Sequence, residues 1–107
     1  MRQVEFHRRL NDENALRVRF GVDRGQVVEF VVQLECRFVG NEKWVPVVRY
    51  DTAHDFAHCD RLHPYEPTTK EAMVTNNYNE ALDIAMNDLI SRWSEYRRRY
   101  EIWLRKK

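Results

Sequence analysis

Between Leu16 and Phe38 apolar side chains occupy every second position, with a single interruption at Asp23-Arg24-Gly25. Leu16, Val18, Phe20 and Val22 alternate with Arg17, Arg19, Gly21 and Asp23; past the interruption, Val28, Phe30, Val32, Leu34, Cys36 and Phe38 line up on one face while Glu29, Gln33, Glu35 and Arg37 punctuate the other. A period of two is the strand period, and it gives each segment one apolar and one wet face. Gly25 can take the positive φ of a tight turn, so the two segments predict adjacent antiparallel strands, the second of them long and central. Such a hairpin must bury its apolar face against another layer.

The end of the chain supplies that layer. Asn77 precedes Glu80 by three positions, an Asn variant of the capping box, and no Gly or Pro follows it up to Lys107. Tyr78, Leu82, Ala85, Leu89, Trp93, Tyr96, Tyr100 and Trp103 or Leu104 recur at helical spacing, which predicts one apolar stripe along a helix roughly 40 Å long. Before the hairpin, Val4 and Phe6 alternate with Glu5 and His7 as in a short edge strand. After it, Gly40-Asn41-Glu42-Lys43 turns the chain into a further strand. By parity Trp44, Val48 and Tyr50 face the core there, and Arg49 and Asp51 face away. Pro46 requires an edge, a bulge or a strand start at its position. Pro64 to Lys70, with two prolines and two threonines, reads as an irregular loop. The expected architecture is one α+β domain over residues 1–107, an antiparallel β meander of about four to five strands covered by one long C-terminal α-helix.

Several function classes drop out on composition. With three glycines in 107 residues there is no Gly-rich phosphate loop, and neither a G-x-S-x-G elbow nor a C-x-x-C pair is present. Net charge is +1, so the whole molecule carries no field that attracts nucleic acid or anionic lipid. Arg92, Arg97, Arg98, Arg99, Arg105, Lys106 and Lys107 nevertheless make a basic end, opposed only by Glu95 and Glu101. No run approaches the roughly 20 apolar residues of a membrane span, and the charged opening Met1-Arg2-Gln3-Val4-Glu5 is unlike a secretory signal, so a cytoplasmic protein is expected. The aromatic half of the helix outruns a four-strand sheet. Trp93, Tyr96, Tyr100 and Trp103 are therefore the expected faces of a homodimer, set against packing within one protomer.

Chemistry concentrates in Arg49-Tyr50-Asp51-Thr52-Ala53-His54-Asp55-Phe56-Ala57-His58-Cys59-Asp60-Arg61-Leu62-His63, which holds three of the four histidines and one of the two cysteines. His54 and His58 are neighbours at the i, i+4 spacing of a helix and share a face in a strand. Two imidazoles can act as base and acid in one turnover on a phosphodiester, with RNA as a natural substrate because its 2′-hydroxyl is an internal nucleophile. In that reading Asp51 or Asp60 orients an imidazole, Arg49 supports the site, and Arg61 and His63 bind substrate; no metal or cofactor is needed. A second reading makes His54, His58 and Asp60 metal ligands, with Cys59, Asp51 or His63 completing the set. A third makes the motif structural: Asp51 and Thr52 cap a turn and the imidazoles bond to backbone.

The run Arg49-Tyr50-Asp51-Thr52-Ala53-His54 followed by Phe56-Ala57-His58-Cys59-Asp60 resembles a family of small uncharacterised prokaryotic proteins with a V-V-R-Y-D-T-A-H-x-x-x-H-x-D type core. That resemblance extends from the strand at Val27 to Val39 to the helix around Asn87-Asp88-Leu89, Trp93 and Tyr96, and it implies a domain of unknown function. A looser similarity is to TumE-like toxins of toxin-antitoxin modules, which have an R-Y-D-N-A-P-like strand end before closely spaced histidines. Here Thr52 stands for the asparagine, no proline follows Ala53, and the histidine spacing differs. The toxin resemblance implies a role for Arg49, Asp51, His54 and His58 and a cognate antitoxin as partner. Together these readings make a toxin-like phosphodiester enzyme the leading expectation, with a non-enzymatic interaction or dimerisation domain, or a metal-binding site at the same residues, as the alternatives.

Overall fold

The computed structural model describes residues 1–106, so Lys107 of the basic end lies outside the described residues. Six strands form one antiparallel sheet in chain order: β1 (Arg2–Asn11), β2 (Asn14–Asp23), β3 (Gln26–Cys36), β4 (Val45–Asp51), β5 (His58–Arg61) and β6 (Thr69–Ala72). One helix follows, α1 (Tyr78–Arg105), and it packs chiefly over β3 and β4. The α+β meander with a covering helix is the expected architecture with one more strand. The addition is β6, whose four residues are all exposed and carry no apolar alternation. It begins inside the stretch that reads as a loop.

Hairpin chemistry explains the pairing. Arg24 and Gly25 both have positive φ, 53° and 78°, which matches the twist of the strands they connect in a two-residue turn. At the β1–β2 turn the Asn11 carboxamide oxygen accepts from the Glu13 amide at 2.9 Å. Gly21 lies between Gln3 and Glu29 in the ladder, and its missing side chain lets the Gln3 amide reach across β2 to the Glu29 carboxylate at 3.0 Å.

Two bulges correct the expected parity. Val22 pairs with Val27 whereas Gly21 pairs with Glu29, so Val28 is the extra residue of a β-bulge. Val27 consequently packs against the core and Val28 is 42% exposed, the reverse of a strict alternation. In β4, Leu34 pairs with Val48 and Glu35 with Pro46, which leaves Val47 unpaired and buried beside the proline. Pro46 thus sits beside a bulge, one of the places where a strand tolerates proline. Trp44 precedes the strand and does not enter the core; its ring lies under the guanidinium groups of Arg9 and Arg37, at 5.1 and 5.2 Å.

Against the inner face of the sheet, α1 buries Ala81, Leu82, Ala85, Leu89, Tyr96 and Tyr100. Its cap meets half of the expected box: the Asn77 side chain accepts from the Glu80 amide at 2.8 Å, but the Glu80 carboxylate accepts from the amide of Asn76, the residue before the cap, at 3.3 Å. Leu16, Val32, Leu34, Val48 and Leu89 are fully enclosed, each contributing about 2 kcal/mol of burial. The aromatic half of the helix is also used within the protomer. Tyr100 stacks on Phe38 at 5.3 Å, and Tyr96 donates a hydrogen bond to Asp88 at 2.6 Å. Tyr96 and Tyr100 are 5% and 6% exposed, so the homodimer face expected of Trp93, Tyr96, Tyr100 and Trp103 lacks its two central residues. Among the described residues no helix is long and apolar enough to cross a membrane.

Candidate functional site

The motif is split by the sheet. Strand alternation puts Arg49 and Asp51 of β4 on the face away from α1, with His58 opposite Asp51 and Asp60 opposite Arg49 on β5. Tyr50, Cys59 and Arg61 point to the helix side, as parity demands. Between the strands runs a short 3₁₀ turn, Ala53–Asp55, in which His54 and Asp55 both have φ of 67°. Thr52 ties the turn to β3: its hydroxyl accepts from the Phe30 amide at 3.0 Å and its amide donates to the Phe30 carbonyl at 3.2 Å.

His58 is the centre of this corner. It is 1% exposed, with the Phe56 ring 5.0 Å away. Nε2 lies 2.6 Å from Asp51 Oδ1 and 3.2 Å from the Ala53 carbonyl; both are acceptors, so Nε2 carries a proton and donates. Nδ1 faces Asp60 Oδ1 at 2.9 Å. Asp51 Oδ1 also accepts from the Ala53 amide at 3.2 Å. The result is an Asp-His-Asp bridge joining two strands and the turn, with neither ring nitrogen turned to solvent. Around it, Arg49 donates to the Gln33 carboxamide at 2.7 Å, and the Lys70 ammonium is 4.0 Å from Asp60.

The remaining predicted site residues are placed elsewhere. His54 is exposed on the turn, and the left-handed backbone at His54 and Asp55 followed by extended Phe56 breaks both the helical and the strand spacing that would have aligned it with His58. One ring is in water and the other is sealed, so they do not form an acid-base pair in a shared pocket. Arg61 is across the sheet, donating to Glu71 at 2.9 Å. His63 caps a loop: its Nδ1 accepts from the Tyr65 and Glu66 amides, both at 3.1 Å, and its ring lies 4.5 Å from that of Trp103. Among the described residues no three His, Cys, Asp or Glu side chains converge as metal ligands. Cys59 is enclosed on the helix side, where burial pushes its thiol up, and this does not suit a reactive cysteine.

Two features were missed by sequence reasoning. A cleft of about 380 Å³ adjoins the turn, lined by Arg19, Phe20, Phe30, Asp51, Asp55 and Tyr78 among others. Its members come from four separate segments, and only the parity of Arg19 and Asp51 hints that the two share a face. On the helix side, Tyr50 and Tyr96 both donate to Asp88, at 2.7 and 2.6 Å, and Arg92 approaches the same carboxylate at 3.3 Å. Asp88 borders the apolar stripe of α1, three positions after Ala85. A carboxylate at that position is the one signal available.

Fold and site together define a small α+β sheet-and-helix domain whose densest polar motif is an enclosed carboxylate-histidine bridge. Residues 1–106 match the family model described as a domain of unknown function, DUF7718, and the chain belongs to that family. No curated protein and no solved structure matches the chain.

Proposed function

We propose that this chain is a non-enzymatic interaction domain in which the histidine motif is structural. The observation that carries this reading is His58: at 1% exposure, with acceptors at both nitrogens, it has no proton or lone pair to offer a substrate. Its task is to hold the β4–β5 corner, and the corner forms one wall of the cleft beside Asp51 and Asp55. Polar, charged and aromatic walls in that cleft suit the docking of a partner group. The test compares His58→Gln with His54→Ala in purified protein. Loss of folding stability in the first and retention in the second are expected; a hydrolytic activity abolished by His58→Gln at unchanged stability overturns the reading.

A toxin-like activity on RNA or another phosphodiester, with a cognate antitoxin, is the competing reading. It draws support from the turn, because left-handed backbone held in two successive non-glycine residues, His54 and Asp55, is the kind of strain that gathers at working sites. His54 would then act with Asp51, Asp55 or Arg19 rather than with His58. Growth arrest on induction, relieved by His54→Ala, would decide for it.

A further inference from the structure

The longest unpaired edge of the sheet is β1, ten residues with only β2 beside it. Eight of the ten are exposed, Val4 and Leu10 being half-buried, and Phe6 is 40% exposed. The opposite edge, β6, is four residues long. An edge strand displays a row of backbone N–H and C=O groups that template a further strand, and sheets usually blunt it with proline, an outward bulge or a short length. Along Arg2 to Arg9 there is no proline and no bulge, the one irregularity of β1, between Arg9 and Asn11, being at its end. The blunting device this edge does carry is the charge of Arg2, Glu5, Arg8 and Arg9. Because α1 packs over β3 and β4, it leaves the inner side of β1 open around Val4 and Phe6.

We propose that β1 is a dimerisation edge that pairs antiparallel with β1 of a second copy about a two-fold axis at His7, joining the two sheets into one with both helices on the same side. Charge selects the occupant and the register. With His7 opposite the partner's His7, Glu5 faces the partner's Arg9, Phe6 faces the partner's Arg8, and Val4 faces the partner's Leu10. Each pair occurs twice: an ion pair, a cation–π contact and an apolar contact. Centring the axis on Glu5 would set Glu5 against itself and Arg2 against the partner's Arg8, so like charges exclude that register. Centring it on Phe6 would replace both Glu5–Arg9 ion pairs with Glu5–His7 and set Arg8 against Val4 and Arg9 against Gln3, so it is disfavoured. This inference goes beyond the reading of the His58 corner and does not depend on it; a monomeric protein would leave that reading intact.

Light scattering of the full chain over a concentration series is expected to show a monomer–dimer equilibrium. Glu5→Arg and Arg9→Glu should each weaken dimerisation about tenfold, and combining them should restore it. His7→Cys should give an interchain disulfide on mild oxidation, since Cys36 and Cys59 are buried and do not compete. Phe6→Cys should not, because in this register it faces Arg8. A wild-type protein that stays monomeric at millimolar concentration overturns the proposal, as does a dimer indifferent to the charge swap and closed by neither cysteine.

Discussion

His58 Nε2 and Asp51 Oδ1 meet at 2.6 Å across the β4–β5 ladder, and this contact joins the end of one strand to the start of the next over a turn that neither strand controls. With Asp60 on the other nitrogen, the ring is flanked by two carboxylates whose side chains are 13% and 10% exposed. Buried acids of this kind depend on their partner.

Removing that partner should be costly. His58→Ala removes the ring that joins the two carboxylates, leaving Asp51 with the Ala53 amide and Asp60 with Lys70 at 4.0 Å. It is expected to lower stability by about 3 kcal/mol, the range for breaking a buried pair. Urea unfolding measures it. A loss no larger than that of a surface substitution would show that the bridge does not hold the corner.

His54 should behave in the opposite sense. Its φ of 67° penalises a side chain but not a glycine, so His54→Gly is expected to raise the unfolding free energy by roughly 1 kcal/mol. If the strained turn also serves binding or catalysis, the more stable variant will be the less active one. Thermal unfolding alongside any binding assay separates the two effects.

The Tyr50-Asp88-Tyr96 cluster predicts an alkaline limit. Burial, and then the hydrogen bond to Asp88, push the Tyr96 hydroxyl up to about 12 from an ordinary 10, and Tyr50 moves in the same direction. Folding therefore favours the protonated phenols. Their contribution is complete below pH 10 and is lost as pH rises from there through about 12. Urea midpoints measured across this range should fall, and Tyr96→Phe should make the fall shallower.

Both thiols should be inert in the native state. Cys36 is fully enclosed and burial pushes its thiol up to about 12, while Cys59 is shifted in the same direction. A disulfide reagent should label neither until the protein is unfolded. Rapid labelling of Cys59 in the folded protein would contradict its enclosure on the helix side.

Periodicity carried the architecture. The alternation from Leu16 to Phe38 and the stripe from Tyr78 to Tyr100 each encode a face locally, and the core is built from those faces. It missed Val28, Val47 and Trp44 because a bulge changes which neighbour a residue opposes, and that is settled by the register of the other strand. The four-residue β6 was illegible for a related reason: pairing with β5, not an alternating pattern of its own, makes it a strand.

The motif shows the same division. Residue order was enough to put Arg49 and Asp51 on one face of β4, and to part His58 and Asp60 from Cys59 and Arg61 within β5, since side-chain direction in a strand depends only on parity. The β4–β5 ladder decided which of the two β5 sets shares the face of Asp51. Folding in three dimensions put Asp51 against His58, closed Phe56 over the ring, and left His54 in water. Those outcomes depend on two left-handed residues in a turn and on a ladder between separate strands. Local spacing encodes neither, because contacts between distant segments select the backbone path that joins them.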